Sequence, residues 1–172
     1  MAVLTKEKII AALKNKKIKI APLDESQIGP GSVDLTLGNE FRIFKRHHEV
    51  YHIKDESDFS DITEEVSVAD GKYIVINPGE MILGITKEKI SLSTDLCGRL
   101  EGRSRFARFG LAVHITASYI QPGVSNRQVL EIVNLGHAPL ALYPGTRICQ
   151  FIFEECSGEA KYSGRFSKQE KP

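Results

Sequence analysis

Three cysteines, Cys97, Cys149 and Cys156, give neither an even set nor a CxxC pair. That spacing sets aside a disulfide framework and a structural zinc site. No apolar run reaches the ~18 residues that a transmembrane helix needs. Neither sign of charge dominates: 23 Lys and Arg stand against 22 Asp and Glu, a net charge of +1. A general polyanion binder carries a basic surplus, so an anion here must be held by a local cluster. The opening "MAVLTKEKII" places Lys6, Glu7 and Lys8 where a secretory signal is apolar. A cytoplasmic protein that binds neither nucleic acid nor membrane is the expectation. Metal ligation through His47, His48, His52, His114 or His137 is not expected, and His114 in "AVHIT" reads as a hydrogen-bonded core residue. There is no internal repeat.

The 172 residues suffice for one domain with its own core. Thr5 is placed to cap a helix and Leu4 to pack on Ile9 as a hydrophobic staple. Ile9, Ile10 and Leu13 extend that helix's apolar stripe to about residue 15. Beyond it the pattern is one of strands. "KYIVI" (72–76), "MILGI" (81–85), "LAVHITA" (111–117), "QVLEIVN" (128–134), "PLALY" (139–143) and "RICQFIF" (147–153) are short β-branched or aromatic runs. Asn77-Pro78-Gly79, Gln121-Pro122-Gly123 and Tyr143-Pro144-Gly145 punctuate them with type II turn chemistry. An all-β sandwich or barrel follows. The stretch 45–71 is polar and charged, a surface excursion. The end of the chain, "SGEAKYSGRFSKQEKP", has little to bury and reads as a mobile tail.

Two features carry chemistry. In "EGRSRFARFG", Arg103, Ser104, Arg105 and Arg108 crowd a segment in which Ser104 can cap a single turn and Gly110 can end it in the left-handed conformation. Arg105 and Arg108, three apart, share a face of that turn. The cluster fits an anion site, and it also fits a solvated basic turn. In "QVLEIVN", period two puts Val129, Glu131 and Val133 on one face and Leu130 and Ile132 on the other. Both faces are apolar, so Glu131 is expected inside, either paired or with a perturbed pKa that suits acid–base chemistry. A rim glutamate in a structural ion pair gives the same pattern. Gln150 is likewise polar within an apolar strand.

"GRSRFARFGLAVHITASYIQPG", "LEIVN" and "PGTRICQFIF", with "IGPGSVDLTLGNEF" (28–41), together resemble the dCTP deaminases of the trimeric dUTPase-like superfamily. The resemblance runs from about residue 4 to 169 and is weakest in the excursion. It implies a mainly β fold, a distorted jelly-roll or β-clip dUTPase-like barrel with a short N-terminal helix. Residues 1–160 would form the nucleotide-binding domain, and 161–172 a tail closing over the active site. It implies a homotrimer with sites at subunit interfaces, acting on dCTP (or dUTP), with Mg2+ carried by the triphosphate. Glu131 would activate the water that attacks C4 of cytosine. Arg103 and Ser104 would hold phosphates and position water and base, and Arg108 would support the catalytic centre. Arg105, Thr116, Ala117, Gln121, Gln150, Tyr162 and Gln169 complete the implied contacts, with Phe166 where tyrosine is usual. The zinc-dependent base deaminases need P-C-x-x-C, which is absent, so deamination would run without a metal-activated water.

Two departures bear on the product. Arg105 stands where the family has serine. Gln121 replaces the aspartate of "IDPG", which in dUTPases activates the water that attacks phosphorus. An amide cannot be that base, so the expected products are dUTP and ammonia. A dUTPase or a bifunctional enzyme giving dUMP is the alternative, and a non-catalytic nucleotide-binding trimer is another.

Overall fold

The computed structural model describes every residue except Met1, Ile115 and Lys168. In chain order the elements are α1 (Lys6–Lys14), β1 (Ile18–Ala21), β2 (Val33–Phe44), β3 (Thr63–Ser67), β4 (Ile74–Ile76), β5 (Met81–Leu92), β6 (Leu96–Gly102), α2 (Ser104–Ala107), β7 (Leu111–Val113), β8 (Tyr119–Ile120), β9 (Ser125–Asn134), β10 (Leu140–Leu142) and β11 (Arg147–Glu155). A curled sheet runs β7-β9-β5-β2-β11-β6-β8, with β1 added beside β5 and β3 beside β2. β4 and β10 form a separate pair, and every pairing is antiparallel. No described helix is long and apolar enough to cross a membrane.

The core lies inside the curl. Leu35, Leu37, Phe41, Leu130, Ile132, Phe151 and Phe153 are all buried there. Phe151 and Phe153 stack with ring centroids 4.5 Å apart. Gly98 allows β6 to reach this pair: a Cβ on it would lie 2.2 Å from a Phe151 ring carbon and 2.4 Å from the Ile152 carbonyl.

Local expectations hold where chemistry within a few residues decides them. Leu4 and Ile9 are both buried beside α1, as a staple requires. Thr5 has the extended N-cap backbone, but its hydroxyl makes no capping bond. The Lys6 amide instead donates to the Pro30 carbonyl at 2.8 Å. Gly79, Gly123 and Gly145 have φ of +79°, +70° and +88°, the left-handed geometry of type II turns.

Long-range pairing adds strands that composition hides. β2 pairs with β5 through a register shift between Leu37 and Phe41, which absorbs its Gly38-Asn39 interruption. The excursion is not all loop: a 3-10 turn, Phe59–Ile62, leads into β3, which extends the sheet along β2. The run 111–117 leaves the sheet at Val113, and Ile115 within it lies outside the described residues.

Candidate active site

One face of β9 packs in the core through Leu130 and Ile132, and Gln128 nearer the strand's start reaches the cavity rim. The other, with Val129 and Glu131, lines an open cavity of about 510 Å³. The glutamate is therefore not sealed among apolar side chains on both sides. Leu83 sits directly across from it in the β5–β9 register. Met81 and Leu83 of β5, Phe44 at the end of β2 and Phe59 of the excursion form an apolar wall. His114, Ala117 and Gln121 line the cavity after β7, and Tyr162, Phe166 and Gln169 come from the tail.

His114 reaches Glu131 because its amide prolongs the β7–β9 ladder, donating to the Glu131 carbonyl at 2.7 Å. A left-handed backbone, φ +57°, then turns the chain away. The ring is buried, with Nε2 3.0 Å from the Ala117 carbonyl and Nδ1 3.2 Å from Glu131 Oε2. The second approach is close enough for charge pairing but off the line of a hydrogen bond, and Nδ1 makes none elsewhere among the described residues. The Thr116 hydroxyl donates to the same Oε2 at 2.9 Å.

Burial pushes the Glu131 carboxyl upward, but His114 and Thr116 outweigh it and hold the group below its ordinary range. Of the two outcomes expected for a glutamate at this position, pairing applies, and the shift it brings is downward. At 21% side-chain exposure the carboxylate keeps part of its hydration, and its two partners favour the ionised form. It is poised as a proton acceptor.

A second cluster forms around α2. Gly110 ends that turn with φ +82°, but the cap is Arg103, and Ser104 is the first helical residue. Ser104, Arg105 and Arg108 are exposed. The Arg105 guanidinium lies 5.6 Å over the Phe106 ring. Arg103 is 3.0 Å from Asp34 of β2 and donates to the Arg147 carbonyl at 2.7 Å. Beside it on β11, Gln150 accepts from the Ser32 hydroxyl at 2.8 Å. An arginine has five N–H donors, so Arg103 retains capacity for an anion.

The structure thus brings Glu131, Thr116, Ala117, Gln121, Tyr162 and Gln169 into one neighbourhood. It leaves Arg103, Ser104, Arg105, Arg108 and Gln150 outside that cavity wall. β7 separates the two groups along the chain, about 10 Å of extended backbone.

Reading by residue type missed His114 as a partner of the glutamate and Asp34 as the partner of Arg103. Asp34 had a faint signal, a carboxylate alternating with Val33 and Leu35. The string "HEVYH" at 48–52 also has the HExxH spelling, which holds zinc only when a helix puts both histidines on one face. Here 48–52 is not helical. Among the described residues no three His, Cys, Asp or Glu side chains converge on a point.

A curled antiparallel sheet with a short N-terminal helix is the dUTPase-like fold. The sheet aligns with a mutant dUTPase from phage phi11 of S. aureus at a TM-score of 0.53 and 11% identity, over 86% of this chain and 96% of that one. It aligns with the 2'-deoxycytidine 5'-triphosphate deaminase of Agrobacterium tumefaciens at a TM-score of 0.67 and 22% identity, over 88% of this chain but only 47% of that longer one. Residues 3–156 match the dCTP deaminase-like family, and the chain belongs to it as an enzyme of nucleotide metabolism. It is 42% identical to the "dCTP deaminase, dUMP-forming" of Methanobrevibacter smithii, covering 100% of this chain and 93% of that one. It is 46% identical to the "dCTP deaminase" of a Marinomonas species, covering 88% and 82%.

Proposed function

We propose that this enzyme deaminates dCTP to dUTP and ammonia, with Glu131 as the proton carrier. The observation that carries the reading is the ionised Glu131 at the cavity wall, its Oε2 fixed by Thr116 and faced by His114. The carboxylate takes a proton from water as the oxygen bonds to C4 of cytosine. It returns that proton to N3. Glu131 then takes the proton of the added hydroxyl and delivers it to the amino group, so that the C4–N bond breaks, ammonia leaves and the C4 carbonyl forms. One carboxylate serves as base and then as acid.

Gln121 lines the same cavity and supplies an amide where attack on phosphorus needs a base. That supports a triphosphate product. The dUMP-forming reading is favoured by the Methanobrevibacter relative's name. Incubation with dCTP and Mg2+, followed by separation of dUTP from dUMP, decides between them. Mainly dUMP and pyrophosphate would make Gln121 indecisive, and no product would leave a nucleotide-binding module.

Magnesium fits this site as a companion of the triphosphate, whose charge it neutralises when bound. The carboxylate beside the arginine cluster, Asp34, is already taken by Arg103. This chain's part is to hold the phosphate oxygens through Arg103, Ser104, Arg105 and Gln150, with Arg108 supporting the centre.

The same reading includes a homotrimer. The phosphate cluster does not line the Glu131 cavity of its own chain, so a neighbouring copy supplying it completes the site. Phe109 and Leu135, 69% and 66% exposed, flank the backbone contact between Leu135 and Gly110 and offer apolar surface that another copy can cover. Light scattering under assay conditions tests this, and an active monomer overturns it. Residues 161–172 act as a tail that admits and covers the nucleotide.

A further inference from the structure

The excursion at 45–71 takes no part in the reaction above, yet it is one of the places where the tail is held. Arg165 lies 2.8 Å from Asp58 Oδ2 and donates to the Ser57 carbonyl at 3.3 Å. The other oxygen of that carboxylate, Oδ1, accepts from the Ser60 amide at 2.9 Å and caps the 3-10 turn. One carboxylate thus builds the turn with one oxygen and receives the tail with the other. The Tyr51 hydroxyl braces the turn, 2.9 Å from Asp61 Oδ2 and 3.1 Å from the Asp58 carbonyl.

The next residue on each side faces the cavity. Phe59 follows Asp58, and Phe166 follows Arg165; both rings line the space that Glu131 faces. The Phe166 carbonyl is held by the Asn126 side chain at 2.8 Å. Farther along, the Arg127 amide donates to the Gln169 carbonyl at 3.1 Å, and the Gln169 side chain returns to the Arg127 carbonyl at 3.3 Å. The tail is also tied to β5 through the Lys89–Glu170 ion pair and to the Pro122 carbonyl through the Tyr162 amide, so the excursion is one of several anchors, and the one farthest from β9 along the chain.

We propose that Asp58 and Arg165 form a clasp that seats the tail on the excursion and sets how tightly the cavity retains its nucleotide. Both are positioning residues, since neither lines the cavity. The nucleotide part rests on the function proposed above; the seating of the tail does not. The two side chains are 45% and 51% exposed, so the clasp is weak and salt-sensitive. Its loss is worth roughly two- to five-fold in the closed tail's population.

The test uses the full chain. Asp58→Asn keeps a good capping residue and removes the charge. Arg165→Gln removes the other charge, and Arg165→Lys keeps it. Without nucleotide, exchange of the Arg127 amide, which opens when the tail lifts, is expected to accelerate about two- to five-fold in Asp58→Asn and in Arg165→Gln at low salt. The double variant should be no worse than either single one, and Arg165→Lys should recover most of the protection. With dCTP, KM should rise by a similar factor while kcat changes less, and the difference should close at high salt. Unchanged exchange in both single variants, or additive effects in the double one, overturns the clasp. If the wild type forms no product from dCTP, the functional reading fails, while the exchange measurement still decides the clasp.

Discussion

The imidazole of His114 bridges Glu131 Oε2, 3.2 Å from Nδ1, and the Ala117 carbonyl, 3.0 Å from Nε2. A carbonyl only accepts, so Nε2 carries a hydrogen. Nδ1 is then the ring atom facing the carboxylate. His114→Asn tolerates the left-handed backbone and removes the imidazole from beside the carboxylate. Glu131 is held low partly by that ring, so the acid limb of the kcat profile should move to higher pH. A pH–rate series on both proteins checks it; an unmoved limb means His114 does not tune Glu131.

The same lowered pKa has a consequence for stability. A carboxyl depressed in the folded state stabilises fully above its ordinary value, 4.5 for Glu131, and loses that contribution as pH falls through its folded value. The stability advantage of wild type over Glu131→Gln should therefore shrink below about pH 4.5. Urea unfolding of both proteins at several pH values measures this. A difference that grew on acidification would contradict the direction assigned.

Glu131→Gln keeps the shape of the side chain and leaves the β5–β9 ladder intact. Deamination should fall by about 10²–10⁴-fold or more, since one group serves as base and acid. Affinity for dCTP should change far less, because the phosphate contacts lie in the other cluster. Near-normal turnover in the folded variant would remove Glu131 from the chemistry.

Arg103→Ala should weaken dCTP binding and also cost stability. It strands Asp34, whose side chain is only 19% exposed, at about 1–3 kcal/mol. Adding Asp34→Asn should restore much of the stability without restoring affinity. Denaturant melts beside binding isotherms separate the two roles. Recovery of affinity in the double variant would make Arg103 structural alone.

Gly98→Ala should be severe. The new methyl would meet both the Phe151 ring and the Ile152 carbonyl, and the carbonyl belongs to the paired strand and cannot swing aside. Overpacking of this kind costs roughly 1–3 kcal/mol, and a clash with backbone belongs at the upper end. A thermal melt unchanged within error would show that β6 can shift.

Local sequence determined what depends on neighbours along the chain. The Leu4–Ile9 staple, the Pro-Gly turns with their left-handed glycines and the Gly110 stop each need only a few residues, so their chemistry can be read in place. The alternation around Glu131 was equally legible and placed it on a face with Val129 and Val133. What that face meets was not. Strand pairing decided that it lines a cavity opposite Leu83, and that the β7 ladder delivers His114 to its carboxylate. Only the folded sheet joins Arg103 to Asp34, and only it brings Asp58 to Arg165 across 107 residues. Periodicity fixes which side a residue faces, while register and curl choose its partner, and those depend on contacts summed over the whole sheet.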